Sequence, residues 1–256
     1  MEPDELLVAG WYGKIPSLGD FASRRLPASF IKTWDLWLQH AMAASRAQLG
    51  ERWLNFYLTG PIWRFVIMPG AFENETGVWT GVLMPSVDKI GRYFPLTIAL
   101  RVDARPGAML TIFSTQSWFS ALERVALTTL DINVLPEELD RRLADNPFPA
   151  LEPGGPRSNA QELAAWWQAG GNTPKALALP TAHSLADLFD ATAEGLLNST
   201  GSGKSFWWAV SPEEGPAQLR CFTGLPPDNY FSAMLGVTLP FESARDFPVV
   251  ALKPYT

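Results

Sequence analysis

Apolar positions along the chain follow two rhythms, one of strands and one of helices. Between Trp63 and Val102 they form three nearly continuous runs, Trp63–Met68, Val78–Met84 and Phe94–Leu100. Turn-forming residues separate them: Pro69, Gly70 and Asn74 after the first, Pro85, Ser86 and Gly91 after the second. Each run has the length of a strand and is rich in aromatic and β-branched residues. None alternates cleanly with polar residues, so both faces of the sheet should be dry and covered by helices. Leu6–Tyr12 predicts a further strand, and Ser205–Val210 and Gln218–Phe222 predict two more. Trp207 and Trp208 are adjacent and must point to opposite faces of their strand, which again requires cover on both sides.

The second rhythm is helical. Phe30, Trp34, Trp37 and Ala41 share one face of a helix over 28–48, opened by Pro27 and stopped by Gly50. Glu51–Leu58 predicts a short helix before Pro61, and Trp118, Leu122, Val125 and Thr129 mark another after Ser114. Pro136–Ala144 carries Pro at its first position and Arg141 and Arg142 in its last turn. A helix is expected from Ser158, with Gln161 in a capping box and Trp166 and Trp167 on its apolar stripe, ended by Gly170 and Gly171. Ser184–Asn198, capped by Ser184 with Asp187, and Pro227–Leu235 complete the set.

Together the elements predict an α/β fold of three layers, helix–sheet–helix, around a mixed and largely antiparallel sheet. The stretch Asp145–Arg157, with four Pro and two Gly, is either a long surface loop within one domain of 1–256 or a linker. In the second case the chain would be two small α+β domains.

Composition narrows the chemistry. The 256 residues carry a net charge of −6, which argues against a nucleic-acid-binding surface. A single cysteine, Cys221, excludes an internal disulfide, and with only two histidines a zinc cluster is not expected. Cys221 reads as a small buried hydrophobe. His40 and His183 read as structural. The acidic start, Met1 to Glu5, is unlike a secretory leader. No apolar run approaches the ~20 residues of a membrane helix, so the expected location is the cytoplasm, with no membrane insertion and no cofactor.

Three loops carry the chemistry that remains. Gly201-Ser-Gly-Lys-Ser205 resembles the end of a phosphate-binding loop, but Asn198 replaces the first glycine. A phosphate cradle follows a strand and opens a helix; here the order is inverted, which favours a helix-to-strand connector. The loop 13–20 could present Lys14, Ser17 and Asp20. The connector 85–95 sets Asp88, Lys89 and Arg92 within five residues; they form either a catalytic cluster or a wet hairpin tip. A general base there would need a partner within hydrogen-bond reach, and no second carboxylate lies close in sequence.

Two segments carry a resemblance. The first is Gly10-Trp-Tyr-Gly-Lys-Ile-Pro-Ser-Leu-Gly-Asp-Phe21 with Arg24, Arg25, Leu26, Pro27, Phe30 and Trp34-Asp-Leu-Trp-Leu38. The second is Pro61–Phe65 leading to Pro85-Ser-Val-Asp-Lys-Ile-Gly-Arg-Tyr-Phe-Pro-Leu96. In this order they resemble the TagF family of bacterial type VI secretion system-associated proteins, across roughly the first 130 residues. Lys89 stands where Arg is common in that family. The resemblance implies a non-enzymatic, cytoplasmic negative regulator acting post-translationally, with the system's forkhead-associated scaffold protein as its expected partner. Lys14, Ser17, Asp20, Asp88, Lys89 and Arg92 are the expected contact residues. The alternatives are an enzyme or nucleotide binder using Asp88 and Arg92 or Gly201–Ser205, and a structural subunit of the secretion apparatus.

Overall fold

The computed structural model describes residues 7–72, 75–104, 108–150, 184–209 and 218–236. The expected helix from Ser158, most of the Pro/Gly stretch and His183 lie outside the described residues, as do the side chains of the Ser184–Asp187 cap. In chain order the strands are β1 (Gly10–Gly13), β2 (Ala22–Arg24), β3 (Trp63–Ile67), β4 (Val78–Met84), β5 (Leu96–Val102), β6 (Lys204–Ala209) and β7 (Gln218–Thr223). The helices are α1 (Ala28–Leu49), α2 (Trp53–Leu58), α3 (Ala108–Ser114), α4 (Gln116–Thr128), α5 (Pro136–Ala144), α6 (Ser184–Gly201) and α7 (Phe231–Met234).

The strands form one open sheet in the order β2-β1-β5-β4-β3-β6-β7, and every pairing between them is antiparallel. The sheet is thus more uniform than the mixed one expected. β3 pairs with β6, with Phe65 opposite Trp207, so strands from both sides of 145–157 share one sheet.

Alternation along the strands divides the apolar side chains between two cores. Phe65, Ile67, Trp79, Leu83 and Trp207 face α1, α2 and α7. Val66, Met68, Val78, Val82, Leu96 and Ile98 face the other side, where Met109 and Ile112 of α3, Phe119 and Leu122 of α4, and Leu139 and Leu143 of α5 meet them. Trp207 lies in the first core, whereas Trp208 packs against the second. The adjacent tryptophans do therefore require cover on both sides.

Trp34 shows how α1 is fixed. Its ring lies 5.2 Å from Phe30, 4.8 Å from Trp37, 5.1 Å from Phe65 and 6.0 Å from Trp207. Its buried Nε1 donates to Thr97 Oγ1 at 2.7 Å, which gives the indole's one donor the partner that burial requires. On the opposite face Arg64 fixes α4. This guanidinium is buried within β3, and it donates to Glu123 at 2.6 and 2.7 Å, Gln116 Oε1 at 2.8 Å and Ser120 Oγ at 3.0 Å. Such forked geometry satisfies a charge that would otherwise be costly to bury.

Two elements were not expected, β2 and α3. β2 has three residues at the sheet edge and little apolar content. α3 is a seven-residue apolar run whose first amides are met from far along the chain. The buried Glu194 carboxylate of α6 accepts from Met109 N at 3.1 Å and Leu110 N at 2.9 Å. One expectation fails at the other edge: Cys221 is exposed, because it lies on the same face of β7 as the exposed Leu219, while the next residue, Phe222, turns into the first core.

Trp34→Ala is expected to cost about 4 kcal/mol in urea unfolding, since it empties the centre of the first core. Leu36→Ala, on the exposed side of the same helix, should stay within about 0.5 kcal/mol of the parent protein.

Candidate functional site

The two charged loops meet at one end of the sheet. β1 ends at Gly13, whose φ of 136° lies in the region that favours glycine. A Cβ there would stand 2.2 Å from the Pro95 carbonyl oxygen. Only glycine lets the chain leave β1 this close to the start of β5. Lys14 follows, and its carbonyl accepts Ser86 Oγ at 2.7 Å. Ser86 is gripped in turn by Tyr57 of α2, which donates to Ser86 O at 2.9 Å and accepts Ser86 N at 3.0 Å. Burial raises the Tyr57 phenol far above its ordinary value, so it stays a hydroxyl that both donates and accepts.

The connector between β4 and β5 closes as a tight turn. Val87 bridges Tyr93, Asp88 N donates to Arg92 O at 3.1 Å, and Gly91 takes a positive φ of 83°. Lys89 N donates across to Leu18 O at 2.8 Å, so the loops are joined through backbone as well as side chains.

Asp88 is the centre of the junction. Its Oδ1 accepts the amides of Ile90 at 3.0 Å and Arg92 at 2.8 Å. Its Oδ2 accepts Arg92 Nε at 2.6 Å and lies 3.0 Å from Lys14 Nζ. Four donors occupy an ionised carboxylate's capacity of roughly four lone-pair sites. Desolvation pushes the carboxyl's pKa up, but the Arg92 amide, the Lys14 ammonium, the Arg92 guanidinium and the Ile90 amide outweigh it. The group ends well below the usual carboxylate range. Arg92 carries the linkage outward: its guanidinium donates to Gly19 O and lies 3.8 Å from Asp20.

The structure thus brings the six expected residues into one junction but assigns them unequal places. Lys14 is 5 % exposed and Asp88 3 %. Contrary to expectation, both face inward as a buried pair, and neither charge is presented to a partner. Asp20, Lys89 and Arg92 are exposed. Ser17 Oγ is buried without a hydrogen-bond partner among the described residues. Sequence reasoning missed Tyr57 and Ser86, which brace the junction from behind, and Phe21 and Ile90, which stand exposed on it. Phe21 stacks on Tyr12 at 5.9 Å, meets Phe94 edge-on at 4.8 Å, and has Lys14 Nζ 4.9 Å from its ring centroid. Tyr57 sits in the short run 51–58, read only as a helix, and Phe21 stands next to the loop 13–20, where no periodicity marks an exposed ring.

The remaining candidates have quieter roles. Gly201–Ser205 ends α6 and enters β6. Gly203 N donates to Pro69 O at 2.7 Å, and Gly203 O accepts Gly224 N at 2.7 Å. Its glycine amide is therefore committed to the fold and faces no phosphate. His40 is exposed, 3.8 Å from Asp228. Among the described residues no group of three or more His, Cys, Asp or Glu side chains is placed to hold a metal ion. Nor is any described helix long and apolar enough to cross a membrane.

A family model described as the TagF N-terminal domain, type VI secretion system-associated, matches residues 10–145, more than half of the chain. The chain belongs to the TagF family. It is a type VI secretion system-associated protein, and both arms of the Asp88 junction lie within the matched region. Among solved structures it is similar to PA0076 from Pseudomonas aeruginosa PAO1. The two are 32% identical over 97% of this chain and 99% of that one, with a TM-score of 0.69. The comparison with curated proteins gave no match. In this TagF chain the junction therefore belongs to the family's own domain, built from the two segments that carry the resemblance.

Asp88→Asn leaves Lys14 buried opposite a neutral amide and should cost about 3 kcal/mol at pH 7. The folded pKa of Asp88 lies below its unfolded value. Its contribution is therefore complete above about pH 4 and lost as pH falls through the folded pKa. Urea unfolding from pH 7 to pH 2 should show a steeper acid limb for the parent protein than for Asp88→Asn.

Proposed function

We propose that this protein represses its type VI secretion system post-translationally, from the cytoplasm and without catalysis, by binding a component of the machinery. The forkhead-associated scaffold protein is the component that the family resemblance favours. The observation that carries the reading is the state of Asp88. A general base needs a free lone pair and a pKa near the working pH. This carboxylate has neither, because four donors fill it and hold its pKa low. What its bonds achieve is a fixed arrangement of two loops, which is what a contact surface needs. Loops held on a rigid scaffold are also where binding residues concentrate.

Deleting the gene in its host should raise release of the system's effectors into the medium while transcript levels stay constant. Unchanged release would contradict repression, and lost assembly of the apparatus would favour a structural subunit. Titration calorimetry with ATP, GTP and cyclic dinucleotides should give no binding heat. Micromolar binding lost in Lys204→Ala would overturn the non-enzymatic reading.

A further inference from the structure

Ile90 is the most conspicuous residue the junction leaves unexplained. It is 69 % exposed at the tip of the β4–β5 connector, while its own amide is locked onto Asp88. A flexible tip could fold an isoleucine back onto the protein. This one cannot, because the Asp88 bonds, the Gly91 turn and the Lys89–Leu18 backbone bond hold the tip in place. Phe21, 44 % exposed, rises from the other loop and is fixed by Tyr12 and Phe94.

The charges around this apolar pair do not cancel. Lys14 balances Asp88, and Arg92 reaches Asp20. Lys89, next to Ile90, has no ion-pair partner among the described residues, and it is exposed. In a chain of net charge −6 the tip is a local spot of positive sign.

We infer that the Lys89–Ile90 tip is the anchor by which this protein engages its partner, and that the partner offers an apolar recess for Ile90 bordered by carboxylates for Lys89. The inference rests on the repressor reading and adds a site and a partner chemistry to it. An apolar side chain entering a recess and excluding water is the usual centre of a protein interface. The adjacent unpaired ammonium supplies steering toward an acidic surface and discrimination against basic ones. A two-fold contact between copies of this chain through the same tip would set Lys89 near its own counterpart, like charge against like, and fits less well.

The test complements the deletion strain with variants and reads effector release, with melting temperature as the folding control. Ile90→Asn and Lys89→Glu lie on the exposed surface, so both should melt close to the parent protein. Each should fail to restore repression, and release should rise toward the level of the deletion strain. With the purified forkhead-associated scaffold protein of the same host as probe, each should weaken binding by roughly tenfold or more. Lys89→Arg, which keeps the charge, should recover repression relative to Lys89→Glu. If both variants repress as fully as the parent protein, the tip is not the anchor. A parent dimer that Ile90→Asn dissociates would assign the tip to a second copy and overturn the inference. If deletion itself changes nothing, the repressor reading fails, independently of the tip.

Discussion

Both faces of the central strands β3 and β4 are dry, and that constraint governs where this protein can keep polar chemistry. Strand after strand sends aromatic or branched side chains to both sides, and helices cover each side. Charge inside the body is matched where it is best seen, at Arg64 with Glu123, Gln116 and Ser120. Exposed charge lies on the outer faces of helices such as α5 and in the connections at the strand ends. At one end two connections are drawn together around Asp88, and there the fold becomes a surface with a defined shape.

The energetics of Asp88 suit that role better than a role in stability alone. A buried ion pair gains little over well-packed apolar residues, because desolvating two charges offsets most of their attraction. What it supplies is direction. Each of the four donors to Asp88 comes from a defined place: an ammonium just after β1, a guanidinium on the far side of the turn, and two amides within it. A single loop conformation satisfies all four. Preorganisation of this kind reduces the ordering cost of association.

How much of this could be read from residues alone depended on how local the cause was. β4 and α5 came out with their bounds, because an unbroken apolar run and a Pro-led helix with basic last-turn residues are local signals. The core role of Trp34 and Trp37 followed from helical spacing. α3 could not be read, since its N-terminal amides are met by Glu194, eighty-five positions from Met109. β2 is too short to show a period. The charged loops stand out in the sequence, but the local pattern makes Lys14 and Asp88 look like surface charges. Nothing local reveals that residues 74 positions apart bury each other, whereas the exposure of Lys89 and Asp20 matches their place in charged loops. The exposure of Cys221 has a similar cause: in a short run the residues do not say which face of β7 meets the core, and Phe222, not Cys221, takes that face.

The central claim is that Asp88 is ionised and saturated, and so locks the two loops into one surface. The most direct test is to follow its side-chain carboxyl carbon by NMR while the pH is lowered in the folded protein. The account predicts a resonance that stays in its ionised position well below about pH 4, where an ordinary aspartate is half protonated. A titration step with its midpoint near that ordinary value would mean that the four donors do not hold the carboxylate, and the surface built on it would lose its physical basis.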